Sequence, residues 1–298
     1  MAMVAVMEGA FRLPRFAQYA FARRAFARRA VRLALSAPFL SLLTLGAWGG
    51  GAAAAHGAGR RVIWRDCWVE HGAFLVPAAF GELTGAMILD PGRAQSALHD
   101  TPALASGLSG ASATGAFSLA GARPRAVTLP IQDLDPETAD LEVSAFGVIG
   151  ADLLAGEVIT LDLRHGACRM SRDPRAARLA RGGGEAALRS QDGGLAISTR
   201  ITDGAKVREG MFRIDGARAE TSVWAARLSR APSKGEAAPP IRLRAVEAAG
   251  AFVEAAPARL IASGDPSAQA VGTELWRGGV LTLDLRRKQV FFRPGAIF

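Results

Sequence analysis

Residues 148–170, VIGADLLAGEVITLDLRHGACRM, are answered 122 positions later by residues 270–292, AVGTELWRGGVLTLDLRRKQVFF. Set side by side without a gap, the two agree at Gly150/Gly272, Leu153/Leu275, Gly156/Gly278 and Val158/Val280. They agree again throughout Thr160–Arg164 against Thr282–Arg286. A composition rich in Ala and Arg scatters identities, but it does not line up five in a row at one offset. The chain therefore writes one structural unit twice. Within it, Ile159, Leu161 and Leu163 alternate with Thr160, Asp162 and Arg164, the two-residue period of a strand. Leu281, Leu283 and Leu285 alternate likewise in the copy.

Working outward, each unit opens on a second strand signal. GAFLVPAAFGELTGAMILD (residues 72–90) reads as two strands joined around Gly81–Gly85 and ending at Asp90. LAISTRITDGAKVREGMFRID (195–215) repeats the design, with Asp203-Gly204 as its turn and Asp215 at its end. Only short helices are expected, such as GADLLA (150–155) and GTELWR (272–277). Residues 171–191 are rich in Arg, Ala and Gly without apolar periodicity, and read as a linker with some helix. The expected organisation is a mainly β chain: an N-terminal segment 1–55, a first unit 60–172, a linker 173–191 and a second unit 192–298.

A chain of 298 residues, half of them apolar, suffices for two modest cores. The net charge of +9 suggests nucleic acid until it is located. Seven arginines between Arg12 and Arg32, against Glu8 alone, carry two thirds of it. The remainder is spread among carboxylates, so no clustered basic face is expected and nucleic acid is excluded as a partner. The basic stretch is followed by an uncharged run, Leu33–Ala55, ending in small residues. That is the pattern of an export signal with a cleavage site near Ala55, or of an uncleaved anchor held by the positive flank. RRAFARR also brushes against a twin-arginine signal. The expectation is an exported, periplasmic protein, a monomer that meets membrane only through this segment if it is not cut.

In such a compartment Cys67 and Cys168 either pair, stapling the terminal strands of the first unit, or stay as buried thiols. His56, His71, His99 and His165 show no metal-ligand spacing, so neither metal nor cofactor is expected. Gly-x-Ser-x-Gly is absent, which removes the common serine-hydrolase signature. Trp64, Trp68, Trp224 and Trp276 read as core or rim aromatics.

The order of parts is hairpin, strand ending in Asp, Gly, variable middle, apolar-apolar-Gly, helical turn and closing hairpin. It resembles the retropepsin-like aspartic proteases. Their members carry Asp-Thr/Ser-Gly-Ala at the end of a strand, where this chain has MILDPGRAQSAL (87–98) and FRIDGARAETSV (212–223). Their later pattern, ILGxDFLxxFxVTIDYxxxxLxF, is matched twice by the repeat. The resemblance covers residues 65–295. It implies two retropepsin-like closed-barrel lobes in one bilobal chain, with a cleft between them for an extended peptide or protein substrate. Asp90 and Asp215 are implied as the catalytic pair: two close carboxylates cannot both ionise, so one activates water while the other assists the scissile carbonyl. Gly150 and Gly272 are implied to permit a close approach beside the aspartate loops, and Asp162 and Asp284 to be structural.

Both aspartate motifs depart from the family. Pro91 stands where Thr or Ser would bond across to the other lobe, and Arg93 stands where Ala is usual. Asp215 runs directly into Gly216 and Ala217, which reads as a hydroxyl residue lost and a loop shortened by one. The only tyrosine, Tyr19, lies in the N-terminal segment, so no flap tyrosine exists. The expected function is an aspartic peptidase with impaired catalysis. The alternative is a non-catalytic descendant that keeps the cleft to bind extended peptide or to act as a scaffold.

Overall fold

Alternation of apolar residues, with turn residues between the runs, produces strands along most of the chain. A computed structural model describes residues 65–119, 122–173, 176–177, 183–224, 228, 241–261 and 268–295. The chain divides into two units at Gly57/Ala58, and everything described lies in the second. The export signal 1–55, its cleavage site, His56 and Trp64 lie outside the described residues. Among the described residues no helix is long and apolar enough to cross a membrane.

The first half runs β1 (Arg65–Asp66), β2 (Trp68–Glu70), β3 (Ala73–Phe80), β4 (Leu83–Leu89), β5 (Ala97–His99), α1 (Asp100–Ala105), β6 (Ser112–Leu119) and β7 (Arg125–Gln132). It continues with α2 (Asp135–Thr138), β8 (Ala145–Ile149), α3 (Ala151–Leu154), β9 (Val158–Asp162) and β10 (Ala167–Ser171). The second half runs β11 (Gly184–Gln191), β12 (Gly194–Thr202), β13 (Val207–Ile214), β14 (Thr221–Trp224), β15 (Ile241–Ala248), β16 (Ala251–Ile261) and β17 (Ala270–Val271). A 3-10 turn at Thr273–Trp276, β18 (Gly279–Asp284) and β19 (Gln289–Pro294) complete it.

Each half closes a barrel. In the first, β3-β4-β8-β5-β7-β6 returns to β3; in the second, β12-β13-β17-β14-β16-β15 returns to β12. The two circuits match strand for strand, including the parallel pairs β4–β8 and β13–β17. The parallel pairs β5–β7 and β14–β16 match as well. The expected mainly β, bilobal fold of two closed-barrel lobes is what the chain adopts. Closure leaves neither lobe an open edge, and both fill with side chains such as Phe74, Met87, Phe212 and Trp276, each at most 2% exposed.

The repeated sequence builds the junction between lobes. β9 and β18 pair antiparallel at the centre of a sheet ordered β1-β10-β9-β18-β19-β11. Thr160 faces Thr282, its own copy, with the hydroxyls 3.3 Å apart and buried. A residue paired antiparallel with its copy fixes the pseudo-twofold axis between them. The stretch expected as a linker, 173–191, is partly this junction: Gly184–Gln191 forms β11, pairing first with β19 and then with β12. Its alternation was hidden because half of its side chains face solvent and the apolar ones are mostly alanine.

Cys67 and Cys168 form a disulfide, with Cα atoms 5.5 Å apart, that ties the start of the first lobe to β10. At the equivalent places the second lobe has the buried pair Leu188 and Val290. Asp162 and Asp284 cap the turns after β9 and β18. Asp162 accepts from the Arg164 and His165 amides; Asp284 accepts from the Arg287 amide.

Candidate active site

The loops after β4 and β13 meet on the pseudo-twofold axis. The Asp90 amide donates to Ile149 at 2.9 Å, and the Asp215 amide to Val271 at 3.0 Å; those acceptors are copies at the 122-residue offset. One step further, Ala151 donates to the Arg93 carbonyl and Thr273 to the Arg218 carbonyl, both at 2.8 Å. Ala94 and Ala219 accept from Asp152 and Glu274, both at 3.3 Å. The two loops are therefore the same length, and Asp215 is the counterpart of Asp90. This corrects the shortened loop expected from aligning Gly216 on Gly92. Gly216 instead occupies the place of Pro91, and Ala217 that of Gly92. The signal was legible: at an ungapped offset of 125, Arg93-Ala94 meets Arg218-Ala219 and Ser96 meets Thr221.

Each lobe reaches across the axis to hold the other's loop. Phe74 donates to the Gly216 carbonyl at 2.7 Å, and Leu195 to the Pro91 carbonyl at 2.9 Å. The first-hairpin turns, His71-Gly72 and Asp192-Gly193, have φ of 46°, 90°, 49° and 81°, the signature of type I′ turns. They abut Ala219 and Ala94 respectively. Thr273 Oγ1 donates to the Gly72 carbonyl at 2.7 Å.

Backbone groups cross between the two loops. The Gly92 amide donates to the Ile214 carbonyl at 2.8 Å, and the chain at Gly216 lies so close to Leu89 that a Cβ there would sit 1.8 Å from its carbonyl oxygen. Gly150 and Gly272 do allow the expected close approach: a Cβ would come within 2.8 Å of the Arg93 carbonyl oxygen and 2.2 Å of that of Ala219. Ser96, which sequence reasoning passed over, locks the first loop. Its buried hydroxyl donates to Asp152 at 2.6 Å and accepts from the Gly150 amide at 2.8 Å.

The two carboxylates, both half-buried, are treated unequally. Asp90 Oδ1 accepts from Gly92 in its own loop at 3.1 Å and from Gly216 in the opposite loop at 3.2 Å. Asp215 Oδ1 accepts from Ala217 at 2.9 Å. The mirror donor to Asp215 would be the amide of residue 91, and proline has none. Burial and the neighbouring Asp215 charge nevertheless push Asp90 up to about 7, against those amides and Arg213. Burial raises Asp215 too, opposed by the Ala217 amide and by Arg218, Arg259 and Arg213. The Asp215 charge adds to the rise at Asp90, whereas Arg218 and Arg259 oppose the rise at Asp215, so the two carboxyls of the pair are not equivalent.

Away from the axis, Arg93 is tied to Glu137 at 3.2 Å and to Gln132, clear of the pair. His99 Nε2 lies 3.1 Å from Asp135 and 3.4 Å from Asp100, with Asp133 nearby, a grouping of His and carboxylates that linear spacing did not suggest. Trp276 is fully buried, Trp68 and Trp224 partly so.

No family model matches this chain, and no curated protein matches it. Among solved structures it is similar to Basic 7S globulin from soybean, at 11% identity over 78% of this chain and 94% of that one, with a TM-score of 0.47.

Proposed function

We propose that the chain is an exported aspartic-type peptidase of retropepsin kind, and that Asp90 and Asp215 hydrolyse a peptide bond as a pair sharing one proton. The observation that carries this reading is the meeting of two equivalent, half-buried carboxylates at the axis, where burial and then the charge of Asp215 raise Asp90 to about 7. Asp215, where arginines oppose the effect of burial, takes the proton of the attacking water. Asp90, protonated, donates to the carbonyl oxygen as it gains charge. The disulfide suits an oxidising compartment, and the uncharged run 33–55 behind a basic flank suits export. A monomer suffices, since one chain supplies both aspartates.

Purified full-length chain, offered a peptide library between pH 3 and 8, is expected to cleave below about pH 7 and to lose activity as Asp90 ionises. Asp90→Asn and Asp215→Asn are each expected to abolish cleavage. Parental rates in either variant end the dyad assignment.

Two observations favour a second reading, a non-catalytic peptide-binding or scaffold protein. Pro91 removes the donor that would orient Asp215, and a misplacement of about 1 Å costs about a hundredfold in rate. The connection leaving β5 is also a helix, Asp100–Ala105, rather than a hairpin able to close over a bound strand. This reading predicts no hydrolysis at any pH, with peptide binding retained when both aspartates are replaced. N-terminal sequencing of the protein recovered from a periplasmic fraction tests export.

A further inference from the structure

Beside each aspartate, four strands of its lobe carry a transverse row of side chains, and the two rows have opposite chemistry. Residues paired across neighbouring strands project from the same face, as do residues two apart on one strand. In the first lobe Ile88, two before Asp90, pairs with Val148, which pairs with Ala97. The pairing of Leu98 with Ile131 then puts Pro130 next in line. Leu134 packs with this row, and Ile88, Val148, Ala97 and Leu134 are each at most 1% exposed. That flank of the pair is apolar and shut.

In the second lobe Arg213, two before Asp215, pairs with Ala270, which pairs with Ser222, which pairs with Arg259. Two guanidiniums thus flank a floor of two small residues, with three strand spacings, roughly 14 Å, between their backbones. The Ser222 hydroxyl holds Arg259 Nε at 2.8 Å, and among the described residues no acceptor meets the two terminal nitrogens of its fork. Arg213 Nε is buried and has no hydrogen-bond partner among the described residues. A buried donor left without an acceptor is unfavourable, and a ligand oxygen would recover that cost. Arg218, on the loop itself, adds a third cation close enough to interact with both Asp215 and Arg259. Against these three stand Asp215 and Glu220, so the row keeps an excess positive charge beside the cleft.

We infer that this arginine row is a specificity site for a carboxylate: an Asp or Glu side chain, or the terminal carboxylate, of a peptide lying across the aspartates. The place of the peptide rests on the peptidase reading above. The chemistry of the site rests on the row itself. Guanidinium forks meet carboxylates through two parallel, charge-assisted bonds, a fit that neither an amide nor an apolar side chain reproduces. Selection is one-sided, because the first-lobe row offers neither charge nor space.

Calorimetric titration of the full-length Asp90→Asn variant tests this without cleavage, asparagine standing in for the protonated Asp90. The probes are alanine-rich octapeptides with one Glu moved along the sequence, their Gln counterparts, and each peptide with a free or an amidated C-terminus. At one Glu position, or with the free terminus alone, binding is expected to be about tenfold tighter, equivalent to about 1.4 kcal/mol. Which of the two it is assigns the source of the carboxylate. Arg213→Ile combined with Arg259→Leu is expected to bring the ratio to near one, and Arg213→Lys with Arg259→Lys to leave an intermediate ratio. A ratio near one in the parent at every position and terminus overturns the inference, as does a preference that survives loss of both arginines. Cleavage of neutral peptides without any acidic preference would sink this site and leave the peptidase standing. An acidic preference lost with the arginines, in a chain that cleaves nothing, would do the reverse. No binding of any peptide overturns both.

Discussion

The two lobes have one topology and two ways of solving each local problem. The first ties its ends with Cys67–Cys168, where the second relies on buried Leu188 and Val290. The first turns its aspartate loop with Pro91, where the second uses Gly216. Beside Asp90 lies a sealed apolar row; beside Asp215, an arginine row partly open to solvent. The difference teaches that duplication preserved what closes the barrels and let the lobes diverge beside the two aspartates. Backbone pairing across the axis tolerates such divergence because it needs amides and carbonyls, not particular side chains.

The largest expected effect tests the staple. Replacing Cys67 and Cys168 by alanine frees a loop of sequence separation 101, which should lower unfolding free energy by about 3–5 kcal/mol in urea titrations without reductant. A loss below 1 kcal/mol would mean that the first lobe, like the second, stands on packing alone.

Next comes the loop comparison. Gly216→Thr puts a Cβ where it would collide with the Leu89 carbonyl. A loss of about 3 kcal/mol or more is expected, from overpacking against backbone that cannot move without separating the lobes. Unchanged stability would show that the loops are not interlocked as described.

A pH-dependent gain follows from Asp90. Its folded value, about 7, lies above the ordinary 3.8, so folding binds a proton. The stability this contributes is complete below about pH 4 and is lost as pH rises to about 7. Asp90→Asn keeps the acceptor for the Gly92 and Gly216 amides and has no charge to bury. It should therefore be more stable than the parent above pH 7, by about 1–3 kcal/mol, with the two converging toward pH 4. Melting temperatures across that range check the sign; a variant less stable at pH 8 would refute the burial account.

The smallest effect is Pro91→Thr. It supplies the missing amide at the position where Gly216 serves Asp90, and should change stability by no more than about 1 kcal/mol. An added donor favours the ionised form, so the Asp215 pKa should fall, moving the acid limb of peptide hydrolysis to lower pH. An unmoved limb would break the mirror relation between the two loops.

Much of the fold was legible because its signals are local. The alternation in EVITLDLR and VLTLDLR, the Asp203-Gly204 turn and the Gly81 hairpin all depend on neighbours within a few residues. β11 was not, because Ala186 and Ala187 give a strand with little apolar contrast. Of the site, Asp90 and Asp215 stood out at their strand ends. The equality of the loops was missed because a glycine was matched to a glycine, when Arg-Ala followed by Gln/Glu and Ser/Thr held the true register. The arginine row could not be read at all, since Arg213, Ser222 and Arg259 become neighbours only through pairings among β13, β17, β14 and β16.

Sequence alone determined that this chain is built twice, that it is β, and that Thr160 and Thr282 are copies, since repetition and period are properties of the linear chain. Tertiary structure decided that those threonines face each other, that the Gly216 amide serves Asp90 while Pro91 offers Asp215 nothing, and that burial and each other's charge act on the two carboxyls together. Charges, donors and buried volume act through space. Residues 125 positions apart acquire a common chemistry only when two closed barrels bring their loops onto one axis.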